Sequence, residues 1–369
     1  MLGAAALGLL VVFFLPRRPL DGSFSYVIVD GGFRVYDNRP GFKLVKSVTF
    51  PHASQLFVSR GVAADPVTHT LYVSYRGNAH TSAQFLAYDL VRGRVVWSRN
   101  YRVDSFALTP DGRKIYAPCG EGGGCDYWYV LDARTGDELG RIKMHVGAHN
   151  TIASLDGDRV YLASGSYDRL AIVDPRTDRI IDWIGPFRNS IRPFTINRDQ
   201  TLAFVTVDLL SGFEVASIKT GAKLYTVEVE GFPVTPAQWP TLPVTQSHGI
   251  ALTPDEEELW VADDVYDNLH VFDVSGLPDA RPRQIADIAL RDSPKWINFT
   301  RDGHYAHIST GEIVDRRTRK VVAFVQPSRQ YVQIDWAAGE PVRAYSRYGL
   351  GYRGDAGAGQ DGVAAAAGR

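Results

Sequence analysis

One position of a repeated sequence pattern holds a polar or ionisable residue in every copy. It lies twelve positions before a large, mostly aromatic residue, and its occupants are Arg60, Asp104, His149, Arg192, His248 and Lys295. The same count back from Tyr345 gives Gln333. If the copies fold alike around one axis, these side chains form a ring of polar groups. The sequence therefore predicts that these seven residues make up one ligand-binding site.

The charges of this ring favour an anion as the ligand. Arg60, Arg192 and Lys295 are cationic and only Asp104 is anionic, an excess of about two positive charges. Two like charges about 7 Å apart at an effective dielectric near 20 repel by roughly 2 kcal/mol, which a bound anion would relieve. A guanidinium binds carboxylates and phosphates through two parallel N–H groups. We expect a carboxylate, a phosphate or an acidic side chain of a partner; a merely hydrated polar channel is the alternative.

A metal site is a second alternative at the same residues. His149 and His248, with Asp104 or Asp263, are residue types that ligate metal ions. Their ligand atoms would have to converge to about 2 Å from the ion. Arg192 lies in the repeat between the two histidines and would place a cation beside that ion. The sequence therefore predicts neither a metal nor another cofactor.

Hydrolysis of a lactone or ester, with or without a metal, is the competing function. His149 or His248 would act as the general base, and Arg60 or Arg192 would stabilise the oxyanion. The sequence contains no GxSxG segment, which argues against covalent acyl transfer. Binding without catalysis is therefore preferred.

The two cysteines, Cys119 and Cys125, flank a glycine-rich segment. In an exported protein they predict a small disulfide across a hairpin, and two free thiols are the alternative. Neither CxxC nor CxxCH is present, which argues against thiol redox chemistry and covalent haem.

Short strands are the elements that must position these side chains. The clearest copy of the repeat runs over residues 104–146, where four short apolar segments are separated by turn signals such as those at 109–112 and 132–136. This pattern predicts a four-stranded antiparallel meander. The copies align on a large residue of the second strand, namely Tyr72, Tyr116, Tyr161, Phe204, Trp260 and His307.

A repeat of roughly 40 to 45 residues with four strands has the spacing of a propeller blade. The turn after the third strand occurs seven times, so we predict an all-β, seven-bladed β-propeller. Residues 24–50 would supply three strands of the last blade, and residues 331–336 its first strand. This closure would remove exposed sheet edges. Because the first strand of each blade lines the central channel, the polar ring is expected at a channel mouth.

The blade motifs PDGRKIYAP, PDEEELWVAD and LDARTGDELGRI resemble the YVTN repeats of exported YncE-like propellers, a group also similar to lactonase-type and cytochrome d1-type propellers. The resemblance covers about residues 24–351 and implies the seven-bladed fold. It departs at Ser217, which replaces a turn aspartate, and at residues 197–200, which replace Pro-Asp-Gly. No catalytic residue of the lactonase-type propellers can be placed on this sequence.

The ends of the chain bear on localisation. Residues 1–15 are apolar and uncharged, shorter than the roughly 20 residues of a membrane span. We expect residues 1–20 to be a signal peptide, with a short membrane anchor as the alternative, and the protein to be periplasmic or extracellular. The domain would span residues 24–351, and the Gly/Ala-rich residues 354–369 are expected to be disordered.

Overall charge bears on partners. The formal net charge is −1 at pH 7, so no nucleic-acid partner is indicated. The expected partner is an anionic small molecule or a protein at the channel mouth, and the chain is expected to be a monomer.

Overall fold

The structure is a computed structural model that describes residues 19–121, 124–233 and 246–345, together with a strand at 352–353. The predicted tail at 354–369, and residues 1–18 of the predicted signal peptide or anchor, lie outside the described residues. No described helix is long and apolar enough to cross a membrane. The described residues form strands and one short 3₁₀ helix, Ala53–Gln55.

The strands form seven antiparallel sheets, which we number as blades 1 to 7. The chain opens with β1 (Gly22–Val29), β2 (Gly32–Asp37) and β3 (Leu44–Thr49), which belong to blade 7. Blades 1 and 2 contain β4 (Ser59–Asp65), β5 (Thr70–Tyr75), β6 (Gln84–Asp89), β7 (Arg94–Arg99), β8 (Ala107–Leu108), β9 (Lys114–Pro118), β10 (Tyr127–Asp132) and β11 (Glu138–Lys143). Blades 3 and 4 contain β12 (Ala148–Ala153), β13 (Val160–Ser164), β14 (Leu170–Asp174), β15 (Arg179–Ile184), β16 (Ile191–Ile196), β17 (Leu202–Val207), β18 (Gly212–Ser217) and β19 (Lys223–Glu228).

The remaining strands complete the ring. Blades 5 and 6 contain β20 (Ser247–Leu252), β21 (Glu258–Asp263), β22 (Asn268–Asp273), β23 (Arg283–Ala289), β24 (Ile297–Phe299), β25 (Tyr305–Ile308), β26 (Glu312–Asp315) and β27 (Lys320–Phe324). The last strands are β28 (Tyr331–Ala337), β29 (Glu340–Tyr345) and β30 (Tyr352–Arg353). The all-β, seven-bladed β-propeller predicted from the repeat is therefore confirmed.

The turns that join the strands are stabilised by short side chains. In the turn after β8, the Thr109 hydroxyl donates to Asp111 at 2.6 Å. In the turn after β10, the Asp132 carboxylate accepts the backbone N–H of Thr135 at 2.9 Å. Ser217, which departs from the aspartate pattern, accepts the N–H of Thr220 through its hydroxyl at 3.3 Å. A short side-chain oxygen at this position thus satisfies the turn, whether it comes from aspartate or serine.

The chain ends meet in blade 7, as predicted. Strand β28 pairs antiparallel with β1, and Val332 lies opposite Tyr26. One detail of the prediction is wrong. Tyr345 was counted as a second-strand residue, but it lies on β29, which pairs with the other side of β28. The second strand of blade 7 is β1, and the sheet has the order β3-β2-β1-β28-β29-β30.

The core lies between neighbouring blades. The large second-strand residues are at most 3% exposed, and they are Tyr26, Tyr72, Tyr116, Tyr161, Phe204, Trp260 and His307. Burying a large apolar side chain contributes about 1.5–3 kcal/mol, so this layer is a principal source of stability. It holds the blades together and thereby fixes the channel mouth.

The fourth, outermost strand of each blade contains a β-bulge. One residue of each outer strand has no partner on the third strand, and this residue is an exposed aliphatic side chain in all seven blades. The bulged residues are Val45, Val96, Leu139, Ile181, Leu224, Ile285 and Val322.

Candidate functional site

The first strands bring most of the predicted ring residues to one mouth of the channel. Arg60, His149, Arg192 and His248 lie at the starts of β4, β12, β16 and β20. Asp104 and Lys295 lie shortly before β8 and β24. Because the second strands run antiparallel to the first, the loops that follow them return to this mouth. The site therefore combines the beginnings of first strands with the ends of second strands.

Arg329 holds the seventh ring position. In blade 1, Arg60 lies three residues before the residue that pairs with the second-strand Tyr72. In blade 7, Val332 pairs with the second-strand Tyr26, so the corresponding position is Arg329. The count of twelve positions back from Tyr345 reached Gln333 instead, because Tyr345 lies on β29 and not on the second strand of blade 7.

Gln333, the predicted seventh ring residue, lies deeper along β28. Its side-chain oxygen accepts the backbone N–H of Arg301 at 2.8 Å, and its amide donates to Ser23 at 2.7 Å. Gln333 is 5% exposed; its bond with Arg301 ties blade 6 to blade 7, and its bond with Ser23 lies within blade 7. The prediction that Gln333 belongs to the ring is therefore wrong, because this residue lies at the contact between blades 6 and 7.

Asp104 joins three neighbouring blades. Its Oδ2 atom accepts a hydrogen bond from Arg60 of blade 1 and lies 3.3 Å from Nδ1 of His149 of blade 3. Its Oδ1 atom accepts the backbone N–H of Ser105 at 2.9 Å. Three of the predicted site residues are thus in direct contact.

Glu121 completes this group and was not predicted as a site residue. Its Oε1 atom lies 3.0 Å from His149 Nδ1, and its Oε2 atom lies 3.5 Å from Arg60 Nη2. Glu121 follows β9, the second strand of blade 2, and lies between Cys119 and Cys125. The sequence could have indicated Glu121, because the loop after a second strand returns to the mouth that holds the ring and brings its acidic residue there.

The charges of this group stabilise one another. Burial disfavours ionised Asp104, but the charges of His149 and Arg60 outweigh it and lower its pKa. Burial likewise disfavours charged His149, yet Asp104 and Glu121 raise its pKa. The hydrogen bond from His149 and the charges of Arg60 and Arg192 lower the pKa of Glu121. At neutral pH both carboxylates are ionised, and His149 binds a proton more tightly than free histidine does.

Carboxylates pair with two further ring cations. Arg192 donates to both oxygens of Asp208, at 2.5 and 2.9 Å. Lys295 contacts the carboxylate of Asp264 through its Nζ atom. Both acids follow second strands. The predicted excess of two positive charges therefore needs correction, because Asp208 and Asp264 offset it in full.

Arg329 differs from these paired cations. Among the described residues, no carboxylate forms an ion pair with it, and Glu121 and Asp104 act on it only from further away. Desolvation and the positive charge of Arg60 lower its pKa. Burial and the charge of Arg329 in turn lower the pKa of Lys295 to about 8. Three cations from blades 6, 7 and 1 thus act on one another across the mouth.

His248 is neutral and points one fixed nitrogen at the backbone. Its Nδ1 atom lies 3.0 Å from the carbonyl oxygen of Lys295, which can only accept, so Nδ1 carries the proton. Burial and the charge of His149 lower its pKa to about 3. A general base works best with a pKa near the operating pH. His248 does not offer this, and His149 is 2% exposed with its Nδ1 atom held between Asp104 and Glu121.

The acid cluster offers a metal-ligand set different from the one considered in the sequence. Ligand atoms of Asp104, Glu121 and His149 lie within 4.8 Å of one another. Arg60 contacts both carboxylates and already supplies positive charge there. Asp263 is fully buried elsewhere, 3.1 Å from Nε2 of His270. The geometry therefore fits a salt-bridge cluster better than a metal centre.

Cys119 and Cys125 are paired as a disulfide in this structure, with Cα atoms 5.8 Å apart, inside the usual range. The bridge closes the hairpin loop that contains Glu121. The backbone carbonyl of Cys125 also accepts the N–H of Gly147 at 2.8 Å, just before β12. The loop is thereby fastened beside His149.

Fold and mouth geometry define a seven-bladed propeller with a charged channel mouth. Among solved structures, the chain is similar to a chain of Kuenenia stuttgartiensis hydrazine synthase. The TM-score is 0.62 and the sequence identity 16%, over 88% of this chain and all of the other. At this identity the likeness shows the fold alone. No family model and no curated protein matches the chain.

Proposed function

We propose that this protein is an exported propeller of the YncE-like kind that binds an anionic small molecule or an acidic group of a partner at the channel mouth. Export and the YncE-like relation rest on the N-terminal sequence and the blade motifs described above. The observation that carries the anion site is Arg329, a ring cation that no described carboxylate neutralises.

The electrostatics of the mouth support an anion beside Arg329. Three cations of the ring, Arg60, Arg192 and Lys295, form ion pairs with four carboxylates at the mouth, which are Asp104, Glu121, Asp208 and Asp264. The raised pKa of His149 favours a further positive charge in this balance. Arg329 and Lys295 each have a pKa lowered by a neighbouring cation. A bound anion would remove that repulsion and accept hydrogen bonds from a guanidinium.

Binding is better supported than hydrolysis. His149 is buried with its Nδ1 atom between two carboxylates, and His248 has a pKa of about 3. A hydrolase would need one of them to accept a proton from water near neutral pH. The mouth instead offers fixed positive groups, which suits recognition of charge.

The test is the effect of Arg329→Gln on anion binding by the full chain. Calorimetric titration with acetate, succinate and inorganic phosphate should detect binding to the parent protein. Arg329→Gln should weaken it about tenfold, because a charged hydrogen-bond donor contributes roughly 1.5–3 kcal/mol. Arg317→Gln removes the same charge from an exposed turn on the opposite face and should leave the affinity unchanged.

The pH dependence gives a second readout. Lys295 must be protonated to attract an anion, and its pKa is about 8. Affinity should therefore fall as the pH rises through about 8. Equal affinities of the Arg329→Gln variant and the parent for all three anions would contradict the proposed site.

A further inference from the structure

We infer that the ligand is a carboxylate that takes the place of the Glu121 side chain on Arg60 and His149. This inference rests on the proposed function, since Glu121 acts on Arg329 by its charge and a carboxylate in its position would do the same.

Glu121 already has the arrangement of a bound carboxylate. Its two oxygens face two different donors, His149 Nδ1 at 3.0 Å and Arg60 Nη2 at 3.5 Å. These donors come from blades 3 and 1, whereas Glu121 comes from the loop of blade 2. One planar carboxylate therefore bridges a guanidinium and an imidazole across the mouth. A free carboxylate of the same shape can make the same contacts.

Of the two acids in the cluster, Glu121 is the one that can leave. The side chain of Asp104 is 5% exposed, while that of Glu121 is 37% exposed. Asp104 is also fixed by the Ser105 N–H at 2.9 Å. Rotation about the side-chain bonds of Glu121 would move its carboxylate into solvent and leave Asp104 in place. Arg60 and His149 would then each lack one acceptor.

The buried charge of Asp104 selects for a singly charged ligand. Its pKa is lowered, so it stays ionised beside the vacated position. A carboxylate restores the single negative charge of Glu121. Phosphate near neutral pH carries up to two negative charges and a tetrahedral shape, and Asp104 would repel it more strongly.

The structure offers space for the rest of such a molecule. A cleft of about 220 Å³ adjoins Glu121, and its lining residues are Glu121, Gly124, Val146, Gly147, Gly165, Ser166 and Arg192. Glycines leave the cleft open, Val146 is 49% exposed, and Ser166 and Arg192 add polar groups. A small organic carboxylate with a short apolar body fits this lining.

The experiment compares Glu121→Gln with Glu138→Gln in the full chain. Glu138 is a glutamate of the same blade, paired with Arg141 on the outer strand, so its substitution changes the net charge equally. Glu121→Gln should bind acetate and propionate roughly tenfold more tightly than the parent, because an internal competitor of the same charge is weakened. Glu138→Gln should bind like the parent. Tightening for phosphate should be smaller than for the carboxylates.

The outcomes separate this inference from the proposed function. If both variants bind carboxylates as the parent does, Glu121 is not a competitor, although the mouth remains an anion site. If phosphate binding tightens as much as acetate binding, the carboxylate assignment is wrong. If the parent and both variants bind no anion at all, the proposed function itself is wrong. Thermal melting of each variant, and of Glu121→Ala as a second substitution, checks that the fold is retained.

Discussion

Asp104 contacts Arg60 and His149, from the blades on either side, through one oxygen atom, and it is 3% exposed. Ionised groups at such depth are tolerated only when their partners are present. The carboxylate therefore does more than fill a ring position. It sets the charge state of His149 and fixes the direction of Arg60, so the shape of the mouth depends on this single side chain.

We expect Asp104→Asn to lower the free energy of unfolding by about 3–5 kcal/mol, because it leaves buried Arg60 without its main partner. The pKa of His149 should fall, since the carboxylate that raises it is lost. Chemical denaturation and an NMR titration of the imidazole would measure these two effects. Asp199→Asn, at an exposed turn, is the control and should change neither.

His149 also determines how stability depends on pH. Its pKa is raised in the folded state, so its contribution is full below the ordinary histidine pKa of about 6.5 and is lost as pH rises through the folded value. Asp104→Asn should reduce this loss, and a variant with the same pH profile as the parent would rule out the coupling.

Elements were easier to predict than individual site residues. The seven blades follow from turns whose chemistry is local, so the sequence reveals them directly. Arg60, Asp104 and His149 were found because they occupy a fixed position of the repeat. Glu121 lies in a loop outside that periodicity, and its contacts depend on how three blades converge. Arg329 was missed because Tyr345 lies on an added strand, which local patterns do not distinguish from a blade strand.

The disulfide acts at the level of one hairpin. Replacing both cysteines by serine should lower the free energy of unfolding by about 2 kcal/mol, the loop-closure entropy of so short a loop. Denaturant titration of the double variant measures this difference. In the parent, thiol titration under denaturing conditions should find no free thiol before reduction and two after it. Two thiols without reduction would contradict the pairing.

At the scale of the whole molecule, stability depends on closing the ring. Strand β28 covers one edge of β1, and Ile334 and Trp336 pack in the same core cluster as residues of blade 1. Both ends of the propeller domain must therefore be in place before blade 7 can form and pack between blades 6 and 1. This long-range pairing is inherently a late and costly contact in folding.

A chain ending at Ser328 should lose cooperative unfolding and associate, because it exposes the β1 edge and the apolar residues beneath β28. A chain ending at Arg353 lacks only the predicted tail and should melt like the full protein. Near-ultraviolet circular dichroism and size-exclusion chromatography would compare them. Native-like behaviour of the shorter chain would show that closure is dispensable.

Ring closure protects only blade 7, and the seven outer strands still face water with unpaired backbone groups. A regular strand in that position is a template on which a strand from another molecule can add. The bulge at the same place in every outer strand breaks the even spacing of those groups, and its aliphatic side chain projects from the irregular position. We therefore expect concentrated solutions of this protein to resist strand-to-strand polymerisation around the whole circumference, through a feature that each blade carries for itself.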